Sequence, residues 1–343
     1  MKLYGKEALA ELLSDTAEEN RMPHAILLTG ERGSGRHTVA KYIAKLFMCG
    51  ARPCEKCPTC SRINAGAHPD VIDVLGEIGG KYGLTSKNGL TDIREFMDGT
   101  AIKPNDGDVK IYVFSNAEEM SAQVQNTLLK NIEEPENWVK YIFICENSSS
   151  LLTTIRSRVT EYRIPDCTAA ECRRCLEEEF HADPAQADEY SQMMSGNIGK
   201  CVDALGLAPK PEKKRSGRKS DDEPEEDAAS VEMKLMESAR HAAAAVASRN
   251  AYMLCAALGE QSGRKEYAGM LEYFAGILRD ALAARAGGGL YSCGKEEARK
   301  IAAIFDENRL ADMISAVFEI NQKSAAANLN LALCSAYLTS RLL

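Results

Sequence analysis

A chain of 343 residues with formal net charge −8 and a pI near 5.4 is too long for one small core and has no overall basic field, which argues against a protein that binds nucleic acid by its own net charge. No apolar run reaches membrane-spanning length, and the start, MKLYGKEALAELL, has acids and no long apolar core, so neither a membrane span nor a signal peptide is expected. Twelve cysteines in such a chain read as reduced thiols or metal ligands of a cytoplasmic protein rather than as disulfides.

The first strong element is the apolar run AILLTG, Ala25 to Gly30, which reads as a buried strand. It runs into GERGSGRHTV, Gly30 to Val39, and then into the helical pattern AKYIAKLF. A strand, a glycine-rich turn and a helix N-terminus together make an anion cradle, because backbone N–H groups and the helix dipole converge there. The glycines of the phosphate-loop signature are present as Gly30 and Gly35, with Gly33 and Ser34 between them, but the lysine and hydroxyl positions read Arg36 and His37. Arginine is a bulky fork rather than a point charge, and histidine offers no hydroxyl to Mg²⁺. The loop reads as a phosphate-loop descendant without its hydrolytic chemistry, and the sequence leaves open whether it still holds ADP, ATP or phosphate.

Directly after the loop's helix, CGARPCEKCPTC places Cys49, Cys54, Cys57 and Cys60 at the spacing C-x4-C-x2-C-x2-C. Four thiolates so spaced can close a tetrahedral shell with no open position, so a structural Zn²⁺ is expected. Cys172 and Cys175, at i, i+3 in a helical pattern, read as a buried face instead.

Further strands are expected at VIDVLG (Val71 to Gly76), KIYVFSN (Lys110 to Asn116) and YIFICEN (Tyr141 to Asn147), with a weaker one, TEYRI, from Thr160. Their alternation with helical patterns predicts an α/β core: a mostly parallel sheet, helices on both faces, ligands at the strand C-terminal ends. KIYVFSN ends on Ser115 and Asn116, where a phosphate-loop ATPase places the Asp that holds Mg²⁺ and the Glu that polarises water. Glu118 and Glu119, just beyond, read as first-turn acids of a helix.

After Pro165 the strands stop. Short helical patterns form a small helical lid over 166–207, following a core with its cysteine insert over 1–165. Ala208 to Ser230 has almost no apolar residues and a basic block followed by an acidic one, so 208–230 reads as a disordered linker. From 231 to 343 the pattern is helical, broken at Gly259 to Lys265 and at Ala286 to Leu290, and predicts an all-helical collar that packs into an oligomer.

HAILLTGERGSGRHTVAKYIAKLF, the four-cysteine insert, NTLLKNIEEPENWVKYIFICENSSSLLTTIRSRV and GNIGK together resemble the DNA polymerase III clamp-loader family of AAA+ proteins. The resemblance is strong from Met1 to about Leu207 and weak beyond. Its most specific runs are Leu128 to Pro135 and Thr154 to Arg158; the family reads S-R-C at the second, where this chain has Ser157, Arg158 and Val159. The resemblance implies that Arg158 is an arginine finger, reaching in trans to the ATP of a neighbouring subunit, with Arg156 making structural contacts.

Against the family's ATP-hydrolysing gamma/tau subunits the chain departs at Arg36, His37, Ser115 and Asn116, and at Gly199 where they carry a sensor arginine. The pattern implied is the delta-prime type: not an ATPase by itself, but a component of the DNA polymerase complex in DNA replication. Its implied partners are the gamma/tau and delta subunits and, through the assembled complex, the sliding clamp and primer–template DNA. The alternative is an ATP-hydrolysing motor subunit of the same family, which would need a lysine at Arg36 and an acid at Ser115. A zinc-finger DNA-binding regulator conflicts with the acidic charge.

Overall fold

The computed structural model describes residues 2–50, 52–74, 99–207, 228–261, 263–326 and 330–343. The chain divides into two compact units, Met1–Cys175 with Asn197–Gly199, and Leu176–Gly196 with Lys200–Leu343.

In the first unit the strands are β1 (Ala25–Thr29), β2 (Val71–Asp73), β3 (Lys110–Phe114), β4 (Val139–Cys145) and β5 (Thr160–Arg163). They form one parallel sheet in the order β2-β3-β4-β1-β5. Around it lie α1 (Glu7–Glu18), α2 (Arg36–Met48), α3 (Pro58–Asn64), α4 (Ala122–Glu133) and α5 (Thr153–Arg156). The central strands are near-continuous apolar runs because both of their faces are covered, and successive side chains go to opposite layers. Ile26, Leu28, Ile111, Ile142 and Ile144 pack with Leu13, Val39 and Ile43 of α1 and α2. Leu27, Tyr112, Phe114, Tyr141 and Phe143 pack with Val124, Leu128 and Ile132 of α4. Phe114 and Phe143 stack across the β3–β4 pair at 4.8 Å. Each fully buried Leu, Ile or Phe contributes roughly 1.5–3 kcal/mol, so the two layers fix the register that brings the strand ends to one edge.

The strands lie where the sequence places them but differ at their ends: β1 stops at Thr29, β3 stops at Phe114, and β4 runs from Val139 to Cys145, two residues earlier at each end than YIFICEN. β2 ends at Asp73, and Leu75 and Gly76 lie outside the described residues. β5 is the weakest in the sequence because it is an edge strand, with Thr160, Glu161 and Arg163 exposed.

The division between the units falls inside α6 (Ala169–Phe180). Cys172 and Cys175 are buried, as their spacing predicts. Next come α7 (Pro184–Met193), whose N-cap Asp183 accepts from the N–H groups of Ala185 and Gln186, and α8 (Ile198–Ala204). The remaining described helices are α9 (Ala228–Ala247), α10 (Ala251–Gly259), α11 (Arg264–Arg285), α12 (Lys295–Ile304), α13 (Glu307–Ala326) and α14 (Leu331–Leu342). Tyr267, Met270, Leu271, Phe274, Ile277 and Leu278 of α11 form the centre of their common core. The glycine-rich connection after α11 is tied back by the buried carboxylate of Asp280, which accepts from the N–H groups of Tyr291 and Ser292, both at 2.6 Å. α9 already begins at Ala228, so the last three residues assigned to the linker are helical; 208–227 lie outside the described residues.

Candidate functional site

β1 delivers the chain to the loop Gly30–His37 at the C-terminal edge of the sheet. Gly33 and Gly35 stand at φ 85° and 91°, backbone conformations that favour glycine, and Gly35 is the N-cap of α2 with no side-chain capping bond. The first turn of α2 therefore presents its N–H groups to the mouth of the loop. Ser34 and Arg36 are buried, and Ser34 Oγ and Arg36 Nη1 have no hydrogen-bond partner among the described residues. Arg36 Nη2 lies 3.9 Å from Glu146 Oε1, beyond the end of β4. His37 is exposed.

The side chains that follow β3 differ from the sequence reading. Ser115 Oγ donates to Asp73 Oδ2 at 2.9 Å, so the acid nearest this strand end comes from β2, which the sequence reading missed. Asn116 turns through a left-handed φ of 53° into a short 3-10 turn, Ala117–Glu119. Glu118 and Glu119 are thus first-turn acids of a helix, as the sequence predicts, the helix being this short 3-10 one ahead of α4. Burial pushes the Glu118 carboxyl up from its ordinary range, against the pull of Arg36 and with reinforcement from Glu146, and Glu118 Oε2 is buried without a hydrogen-bond partner. The loop's only guanidinium inside the pocket wall is therefore set among the chain's own carboxylates.

Residues 197–199 close over the loop. Asn197 Nδ2 donates to Glu31 Oε2 at 3.0 Å and to the Arg32 carbonyl at 2.8 Å, and the Gly199 N–H donates to the Gly33 carbonyl at 3.0 Å. A Cβ at Gly199 would overlap Gly33 Cα. No side chain fits there without a shift of the Gly33 backbone.

Arg158 follows α5. Its Nε lies 2.5 Å from Glu133 Oε1, and its Nη1 donates to the Thr154 carbonyl at 2.9 Å and to Ser157 Oγ at 3.1 Å. The two most specific sequence runs, one ending α4 and one following α5, meet in this ion pair. Arg158 is 38% exposed. Arg156, expected to make structural contacts, is exposed; its N–H donates to the Leu152 carbonyl at 3.1 Å.

The four cysteines converge. Sγ of Cys49, Cys54, Cys57 and Cys60 lie within 4.8 Å of one another. Cys49 Sγ is 3.5 Å from that of Cys54 and 3.7 Å from that of Cys57. A tetrahedral shell with Zn–S near 2.3 Å requires sulfur separations of about 3.8 Å, so the donor set fits such an ion. Backbone N–H groups point at the sulfurs: Cys57 to Cys54 at 3.3 Å and Cys60 to Cys57 at 3.4 Å. The N–H groups of Lys56 and Cys57 bring the Cys54 thiol down to about 6, whereas burial pushes that of Cys60 up to about 12. The remaining cysteines are not part of this cluster.

A five-stranded parallel sheet with helices around it and a glycine loop between its first strand and the following helix is an α/β fold of the phosphate-loop type. Residues 5–168 match the model of the family described as DNA polymerase III, delta subunit. DNA polymerase III subunit delta' of Bacillus subtilis (strain 168) is 36% identical over 152 residues, which cover 43% of this chain and 44% of that protein. Subunit tau/gamma of Haemophilus influenzae is 30% identical over 166 residues, 47% of this chain and 23% of that protein. The chain thus spans less than half the length of these curated relatives, which include both delta-prime and gamma/tau proteins. Among solved structures, a gamma subunit-related protein from Thermotoga maritima is 17% identical with a TM-score of 0.40, covering 96% of this chain and 97% of that one. No described helix is long and apolar enough to cross a membrane.

Proposed function

We propose that the chain is a delta-prime-type clamp-loader subunit that does not hydrolyse ATP and that acts on the nucleotide of a neighbouring subunit. One observation carries this reading: Arg36 stands where a lysine is required and lies against Glu146, and the two residues that follow β3, Ser115 and Asn116, are themselves not acids, the carboxylate beside Ser115 coming from Asp73 of β2. Hydrolysis needs a cation on the β/γ-phosphates, a hydroxyl and an acid on Mg²⁺ and a group that orients water. Each is replaced here.

Phosphate binding is a separate property. The backbone of Gly30, Gly33, Ser34, Gly35, Arg36 and His37 needs no lysine to receive an anion, so the loop can hold ADP, ATP or phosphate without turnover. Cys49, Cys54, Cys57 and Cys60 would hold one structural Zn²⁺, which with four protein ligands has no open position and fixes the insert rather than performing chemistry. Arg158 is the arginine finger: its planar fork, offered to a γ-phosphate across a subunit boundary, would neutralise transition-state charge worth about three to five orders of magnitude in rate.

The organisation proposed is a core over 1–165, a lid over 166–207, a linker over 208–227 and a collar from Ala228 to 343 that joins the ring. The subunit works in the cytoplasm with gamma/tau and delta subunits, and meets the sliding clamp and primer–template DNA through the complex.

Steady-state ATP turnover by the purified chain tests the reading. None above background is expected; a rate like that of ordinary phosphate-loop ATPases, abolished by Gly35→Asp, would establish the motor subunit instead.

A further inference from the structure

Lys45, on α2, is the one lysine among the described residues whose exposure is zero, and a lysine so placed is costly unless its charge is met. Its ammonium lies 2.5 Å from Glu55 Oε1. Glu55 follows Cys54 and sits two positions before Cys57, at a left-handed φ of 56° that is strained for a residue with a Cβ. The same carboxylate accepts from Asn64 Nδ2 at 3.1 Å through Oε2, and the Asn64 carbonyl accepts from Lys41 Nζ at 2.9 Å, one turn before Lys45. Two ammonium groups from the phosphate-loop helix thus grip the knuckle at its turn and at the end of α3, and the carboxylate of Glu55 joins the two grips.

We infer that Lys45 is a positioning residue of the cysteine site: through Glu55 it fixes the Cys54–Cys57 turn in the conformation that closes four thiolates around one metal ion. The inference rests on the metal reading of the four cysteines. Two arguments support it. The turn that aims the Cys57 N–H at Cys54 Sγ runs through the strained Glu55, and the ion pair is what that conformation gains. A tetrathiolate around a divalent ion is also an anion, and a buried ammonium close to the knuckle favours its assembly. Partners outside the ligand set that orient it are typically worth 10–100-fold in metal affinity.

The test uses the full chain as wild type, Lys45→Met and Glu55→Gln, stripped of metal. Each is titrated with Co²⁺, followed by thiolate charge-transfer absorbance, and with Zn²⁺ in competition with a chromophoric chelator. Lys45→Met is expected to weaken Zn²⁺ binding about tenfold or more. Its metal-free form should melt no lower than wild type, because an apolar side chain of similar volume replaces a buried charge and Glu55, 29% exposed, returns to water. A residue that served only to hold the fold would move both readouts together. Glu55→Gln keeps an acceptor but loses the charge, and is expected to weaken binding several-fold. Affinities within about twofold of wild type in both variants overturn the inference. Should Lys45→Met fail to fold, Glu55→Gln decides by the same criterion. A wild-type chain that takes up neither metal removes the metal reading, and this inference with it.

Discussion

At the scale of single residues, the glycine loop after β1 is defined by what cannot be placed against it. A methyl at Gly199 would overlap Gly33 Cα and come within 3.1 Å of the Gly33 carbonyl, both of them backbone atoms that cannot swing away. Gly199→Ala is therefore expected to lower stability by about 1–3 kcal/mol, as overpacking does, and to lower the melting temperature of the first unit accordingly. Glu118 makes the converse prediction. Burial, opposed by Arg36, holds its carboxyl above the ordinary value near 4.5, so the folded chain keeps that proton more tightly than the unfolded one. The cost of the ionised form is absent below the unfolded value, grows as pH rises through the window between the two values, and is complete above it. Glu118→Gln should thus raise the melting temperature near pH 7, with the gain shrinking toward about pH 4 in parallel melts. The sequence exposes the first of these residues only as a departure from a family pattern, and the second only as a first-turn acid of a helix, without its buried surroundings. Gly30 to His37 could be read because a phosphate loop is local in the chain; Glu118 could not, since its environment is made by the loop after β1 and the end of β4.

At the scale of elements, legibility follows burial. β1, β3 and β4 announce themselves as apolar runs because both faces are covered, whereas β5 keeps one edge in water and reads weakly. The four-cysteine spacing marks the knuckle, but the ion pair that joins it to α2 involves Lys45, which in the sequence is one more cation on a helix. α9 extends to Ala228 because Ala and Ser there suit a helix, although the composition of the preceding stretch masks its start. The knuckle also makes a prediction about metal removal. Chelation should raise amide exchange over residues 49–64 while β1, β3 and β4 stay protected, since the strands have apolar layers that include none of the four cysteines. Elemental analysis of the untreated protein should give one zinc per chain. Loss of protection in the sheet at the same chelator concentration as in the insert would instead make the metal a support of the whole unit.

At the scale of the whole molecule the proposed clamp-loader role turns on Arg158, which distinguishes a spacer in a ring from a subunit that takes part in its chemistry. In the chain alone the guanidinium is held by Glu133, an exposed pair of the kind worth about 0–1 kcal/mol. That is a weak hold: a phosphate presented by a neighbour offers the same fork more charge, and the exchange of one carboxylate for phosphate oxygens needs no change in the fold. Arg158→Ala should therefore leave the melting temperature of the isolated chain almost unchanged and leave assembly intact. In the reconstituted complex it should lower DNA- and clamp-stimulated ATP hydrolysis at the one site that Arg158 faces, so that the loss for the ring is partial. Arg158→Lys should rescue poorly, because a point charge lacks the planar fork, whereas Glu133→Gln should preserve activity, since it releases the finger without altering it. ATP hydrolysis and clamp loading that stay at wild-type rates in a complex verified to contain the Arg158→Ala chain would assign the residue to its pairing with Glu133, and the subunit to a structural place in the ring.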